Sequence, residues 1–155
     1  MNGLSLRDSR RIIEKRRKKL EHRLRRIQWE DQHQPMLNGS NIHYEMSEKV
    51  NAISCGGIGA IHKMVQWSGL VKGINAQLNL LKCHVPYHES DHVLNMAYNI
   101  LSGGKRLEDI DLNRNNEAYM NALGAQRIPD PTTAGDFTRR FSVEDNIALM
   151  ECVNE

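Results

Sequence analysis

His92-Val93-Leu94-Asn95-Met96-Ala97-Tyr98-Asn99-Ile100-Leu101-Ser102, followed at once by Gly103-Gly104, is the stretch from which the fold is read. Val93, Ala97, Ile100 and Leu101 recur at helical spacing, so the sequence predicts a helix with these four side chains on its core face. The glycine pair supplies the stop, because glycine enters the left-handed region that ends helices at no steric cost. Ser90 or Asp91 stands where it can cap the start.

Toward the C-terminus, Leu107 to Leu112 reads as a short acidic segment, and Glu117 to Leu123 as a helix stopped by Gly124. After Pro129 and Pro131, Thr132 or Thr133 can cap a helix running through Phe141, anchored by Phe137 and Phe141. Ser142 can cap a final helix in which Val143, Ile147, Met150 and Val153 are in phase. That helix meets no stop signal before Glu155, which reads as an unfinished element.

Toward the N-terminus, Gly56-Gly57 opens an amphipathic helix carrying Ile58, Ile61, Met64, Val65 and Leu70, punctuated by Gly69 and Gly73. Ala76 to Leu81 reads as a further short helical segment, ended by Pro86. Ile42 to Met46 alternates apolar and polar residues, as one short strand would. Gln32 to Ser40, with Pro35 and Asn38-Gly39, is a polar connection. Residues 5–30 contain neither Gly nor Pro and predict one long helix. Its stripe of Leu6, Ile13, Leu20 and Ile27, with Leu24 alongside, is about one side chain wide, and Ser9, Arg16 and Arg23 occupy the positions a coiled coil would fill with apolar residues. The predicted fold is mainly α: a basic helical arm over 1–34 and a small helical domain over 35–155, with at most one or two short strands.

The composition agrees with a thin aliphatic core, since 39% of the 155 residues are apolar and only 5% aromatic. The net charge of +2 conceals an asymmetry. Residues 1–30 hold eleven Lys/Arg against four acids, and residues 31–155 hold ten against fifteen, so a +7 arm precedes a −5 body. Cys55, Cys83 and Cys152 are odd in number and far apart, which fits a reducing compartment rather than a disulfide framework. No apolar run approaches membrane-spanning length, and the sequence predicts a cytoplasmic protein with no membrane partner.

Arg10, Arg11, Lys15, Arg16, Arg17, Lys18, Lys19, Arg23, Arg25 and Arg26 surround nearly all faces of the first helix. Duplex DNA carries a charge every ~1.7 Å, so such an arm would bind phosphates without reading sequence. The same helix could instead be solvated, or docked on an acidic protein surface. Thr132 to Phe141 reads as the second helix of a helix-turn-helix, with a hydroxyl-rich start and Arg139-Arg140 for groove and backbone contacts. The connection from Gly124 to Thr132 is longer than that motif's usual turn, and an ordinary capped core helix explains the pattern equally well.

Two other clusters have simpler readings. His88 and His92 lie four apart with Glu89 and Asp91 beside them, but Pro86 separates His84 from the rest, and two histidines are half a metal site. Helix capping accounts for the cluster, and no metal ligand or cofactor is assigned to this chain. Glu108, Asp109 and Asp111 are close in sequence, as carboxylates of two-metal sites must be in space, yet acids on a short turn serve as caps or face water. Gly56-Gly57-Ile58-Gly59 lacks the Lys-Ser/Thr and the spacing of a phosphate-binding loop.

Four blocks together resemble a family of bacterial DDE-type insertion-sequence transposases: Ser54-Cys55-Gly56-Gly57-Ile58-Gly59-Ala60-Ile61-His62, Pro86-Tyr87-His88-Glu89-Ser90-Asp91-His92, Gly103-Gly104-Lys105-Arg106-Leu107-Glu108-Asp109 and Pro129-Asp130-Pro131-Thr132-Thr133-Ala134-Gly135-Asp136-Phe137. They run in consistent order over roughly residues 40 to 155. The resemblance implies an N-terminal part that binds terminal inverted repeats, followed by a ribonuclease-H-like domain whose three carboxylates hold two divalent metals, Mg²⁺ by expectation. It places none of those carboxylates in this chain. The first is expected on a strand after the last helix, and Asp109 and Asp111 match a pre-catalytic block. The sequence departs from the family pattern at Asn116, where an acid is expected, and at Thr138, where a cysteine is expected.

On this reading the chain is the DNA-binding N-terminal part of a transposase, inactive alone and nucleoid-associated when bound. Its partners would be double-stranded DNA, as terminal inverted repeats, and another copy or the full-length enzyme. The contacting set would be the ten arm residues with Lys105, Arg106, Thr132, Thr133, Arg139 and Arg140. Three alternatives stay open: an autonomous regulator or inhibitor of transposition, a protein-interaction module using the basic helix, and a metal-dependent enzyme built on the His/acid cluster.

Overall fold

Among the described residues, three helices start on short polar side chains and three end at glycines. The computed structural model describes residues 6–25, 33–37 and 55–154. Among them are α1 (Leu6–Leu24), α2 (Ile58–Trp67), α3 (Leu70–Gln77), α4 (Glu89–Leu101), a 3-10 turn (Leu107–Asp109), α5 (Ile110–Arg114), α6 (Glu117–Ala122), α7 (Pro131–Thr138) and α8 (Val143–Asn154), and no strand. The mainly helical fold is as the sequence predicts. The proposed strand Ile42–Met46 lies outside the described residues, as do Arg26 and Ile27.

Several boundaries follow the local chemistry. Gly69, Gly103 and Gly124 take positive φ values of 80°, 88° and 64°, ending α2, α4 and α6. Asn116 caps α6, its side-chain oxygen accepting from the Ala118 N–H at 3.2 Å. Ser142 and Asp145 form a reciprocal box at the start of α8, with N–H to oxygen distances of 2.9 and 3.1 Å.

α1 is described from Leu6 to Leu24 with Arg25 in a turn, and residues 26–30 of the predicted helix lie outside the described residues. Other boundaries differ from prediction. α3 covers Ala76 and Gln77 but ends there, and Leu78 is extended and buried, so the helical segment expected through Leu81 is not one. α7 is capped by Asp130, with Pro131 in its first turn, rather than by Thr132 or Thr133. It stops at Thr138, three residues before Phe141.

The largest correction concerns α4, whose predicted core face is its outer face. Ile100 and Leu101 are 69% and 59% exposed, Ala97 is exposed and Val93 only half-buried. The buried side carries Glu89, Ser90, Asp91, His92, Leu94, Asn95, Tyr98 and Asn99. The reason lies in what surrounds the helix. Four irregular segments converge on it, and their buried backbone groups need hydrogen-bond partners that apolar side chains cannot offer.

Asp91, fully buried, accepts from the N–H groups of Met36 and Leu37 at 2.8 Å each and of His88 at 2.9 Å. Glu89 accepts from the Leu80 and Leu81 N–H groups at 3.1 and 2.9 Å. Asn95 donates to the Pro129 carbonyl at 3.1 Å and Asn99 to the Arg106 carbonyl at 2.9 Å. The segment around Pro35, expected as a plain connection, is therefore fastened to α4, and Leu37 is buried in the core.

That core joins Leu37, Ile58, Leu94, Tyr98, Tyr119, Met120, Leu123, Ala125 and Ile128. It is small, and its apolar burial is supplemented by a buried 2.8 Å hydrogen bond between His62 Nδ1 and the Tyr98 hydroxyl. Burial pulls the His62 pKa below its ordinary value, which keeps the ring neutral. Around this core α2 packs on α3 and α6, and α8 lies along α3. Gly73 is the notch that seats α8, since a Cβ there would come within 2.6 Å of the Cys152 sulfur.

Candidate nucleic-acid interface

The basic helix is not detached from the body. α1 packs on α5, Leu20 is buried, and Arg16 Nη1 donates to the Leu112 carbonyl at 3.2 Å. Leu20 and Leu24 line a cavity of about 90 Å³ together with Arg114, Asn115, Met120, Gln126 and Arg127. Leu20 and Leu24, from the apolar stripe read in the sequence, are thus on the side that meets the protein. Arg10, Arg11, Lys15, Arg17, Lys18, Lys19 and Arg25 remain exposed, whereas Arg16 and Arg23 are half-buried. Arg17 is paired with Glu21 at 3.0 Å, an exposed contact of small energetic weight.

The second predicted group lies around α7. Phe137 is buried, and Phe141 meets it edge-on with ring centroids 5.3 Å apart, so both aromatic residues anchor the segment as expected. The partners of α7 are the Leu107–Asp109 turn and α4, while α6 packs on α5 and α2. An α6/α7 helix-turn-helix pair is therefore not what holds α7 in place. Thr133 is committed to the cap, its N–H and hydroxyl both donating to Asp130 at 2.9 Å. Burial pushes the Asp130 carboxyl up, but the Thr133 bonds, the Arg114 charge and the Thr132 N–H together hold it below the usual range.

Thr132 is exposed on the first turn, and Arg139 and Arg140 are exposed just past the helix end. Arg139 pairs with Asp136, and Arg140 Nη1 donates to the Leu80 carbonyl at 3.2 Å. Thr133 and Arg140 line an open groove of about 760 Å³ between α7 and the Leu80–Tyr87 segment. Lys105 and Arg106 are exposed and immediately precede the Leu107–Asp109 turn that α7 packs against. Arg106 faces Asp109 at 3.5 Å, and Asp109 accepts from the Lys105 and Arg106 N–H groups at 2.8 and 3.0 Å. Those backbone bonds hold its carboxyl below the ordinary range, as a capping residue requires.

The histidine cluster separates differently from its sequence spacing. His92 turns away from His88 and stacks on Phe137, ring centroids 4.3 Å apart, with Tyr87 edge-on at 5.6 Å. Burial pulls its pKa down to about 4, against the raising pull of the Glu89 carboxylate. His84 instead joins His88: the chain bends at Val85–Pro86, a cis peptide, and the two rings stack 4.0 Å apart. His84 Nε2 stands 3.2 Å from Glu89 Oε2. Among the described residues, His84, His88 and Glu89 are the one group of three metal-ligating side chains whose ligand atoms converge, all within 4.8 Å. The structure thus brings together His84 and His88, which the sequence reading held apart.

Comparison of the chain with protein-family models, with curated proteins and with solved structures gave no significant match. No helix among the described residues is long and apolar enough to cross a membrane.

Proposed function

We propose that this chain is the DNA-binding N-terminal part of an insertion-sequence transposase and that α1 is its phosphate-contacting element. The observation that carries the reading is the division of labour on α1. Leu20 and Arg16 fasten the helix to the body, and Arg10, Arg11, Lys15, Lys18 and Lys19 face solvent. A fixed helix presents its cations without the ordering cost that a disordered arm would meet on binding. The order of the four sequence blocks supports the transposase assignment. Lys105, Arg106, Thr132, Arg139 and Arg140 would form a second contact group around α7.

Strand cleavage would belong to carboxylates outside this chain, since the resemblance places none of the three in it. Any divalent metal of that chemistry would be held elsewhere. Fluorescence anisotropy tests the reading, using a terminal-inverted-repeat duplex and a scrambled duplex across a salt series. Selective binding that outlasts rising salt supports repeat recognition. Equal binding that collapses with salt leaves α1 as a nonspecific anchor, and no binding at low salt refutes the DNA reading. The last result would favour the protein-interaction alternative for the basic helix.

A further inference from the structure

We propose that His84, His88 and Glu89 form a binding site for one divalent transition-metal ion, zinc by ligand preference, which clips the Leu80–His84 segment to the start of α4. Two imidazoles and one carboxylate are a set that zinc accepts, with water in the fourth position. Their ligand atoms already lie within 4.8 Å of one another. A tetrahedral ion with bonds of ~2.0–2.1 Å places neighbouring ligand atoms about 3.3 Å apart, and His84 Nε2 and Glu89 Oε2 stand at 3.2 Å. The ion would take the place of the proton those two atoms share.

The carboxylate is prepared for such a role. Glu89 is buried, and its other oxygen is held by the Leu80 and Leu81 N–H groups. Outer hydrogen bonds of this kind orient a metal-ligating carboxylate. His88 is fixed from behind, since its N–H donates to Asp91 in the capping box of α4. His84 is the adjustable ligand, its side chain being 34% exposed. The rings are parallel to within 2°, so His84 must swing out of its stack for both nitrogens to point at one ion. Its exposure gives it the room, and it gives the ion a path in.

The test uses the untagged chain after chelator treatment, with Zn²⁺ followed by calorimetry and Co²⁺ followed by visible absorption. One equivalent of Zn²⁺ should bind and raise the melting temperature. His84→Gln, at a part-exposed position, should weaken binding at least about tenfold, whereas Cys83→Ser should leave it unchanged. The Co²⁺ spectrum of the unaltered chain should show the visible bands of a four- or five-coordinate nitrogen/oxygen site, without thiolate charge transfer. This spectrum decides the matter even if the His84 variant is unstable. Absence of stoichiometric binding, retention of full affinity in His84→Gln, or a thiolate band would each overturn the proposal.

Discussion

Replacing His92 by Phe should flatten the pH dependence of stability between about pH 6.5 and pH 4. The imidazole lies between Phe137 and Tyr87, and its Nδ1 has no hydrogen-bond partner among the described residues. Burial lowers its pKa from 6.5 to about 4 in the folded chain. In that window the unfolded chain binds a proton that the folded chain refuses. The contribution of neutral His92 is therefore fully present above pH 6.5 and is lost as the pH falls toward 4. Each pKa step is worth about 1.4 kcal/mol, so the loss approaches about 3 kcal/mol, a large share of a small domain's stability. Urea unfolding at several pH values, on the native chain and on His92→Phe, isolates the effect, because every other titratable residue is common to both. The difference between the two curves should shrink or reverse by about 3 kcal/mol across the window. Parallel curves would refute the reasoning, as would a His92 NMR titration with its midpoint near the ordinary histidine value.

Asp91→Ala should lower stability by about 3 kcal/mol or more in urea unfolding, since three backbone N–H groups lose their acceptor. Gly59→Ala should cost about 1–3 kcal/mol by the same measurement, because the new Cβ would sit 2.8 Å from the Ala122 carbonyl oxygen where α2 crosses α6. Leu20→Ala should cost about 2–3 kcal/mol and loosen α1, read as faster amide hydrogen exchange along that helix with little change in α4. Replacing Arg11, Lys15 and Lys18 together by Gln should reduce the slope of log affinity against log salt by up to about 2.7, at ~0.9 per phosphate contact, while the circular dichroism spectrum stays unchanged.

The helical class was legible because propensity and punctuation agree. Gly103 and Gly124 stop helices where they stand, Ser142 starts one, and the absence of Gly and Pro from residues 5–30 marks α1. The orientation of α4 was not legible. Apolar periodicity locates the core only when the surroundings are apolar, and α4 is surrounded by backbone amides that its polar side satisfies. Asp91 and Glu89 each hold residues distant in sequence, and no local spacing announces such bonds. The convergence of His84 on His88 escaped for a similar reason, because it depends on how the chain bends between them. At the candidate interface, charge density identified the exposed residues of α1. The stripe through Leu20 marked the attachment side, but not the fact that α5 receives it.

The notch at Gly73 makes the chain's own thiols into a clock. Cys83 is exposed and a thiol reagent should label it at once, while Cys152 sits with its sulfur turned into the glycine notch on α3. Cys152 is half-buried, so a reagent should reach its sulfur more slowly than that of Cys83, and faster once α8 lifts away. The slowing of Cys152 labelling relative to Cys83 thus reports how firmly the last helix is seated, without any probe having to be engineered into the protein.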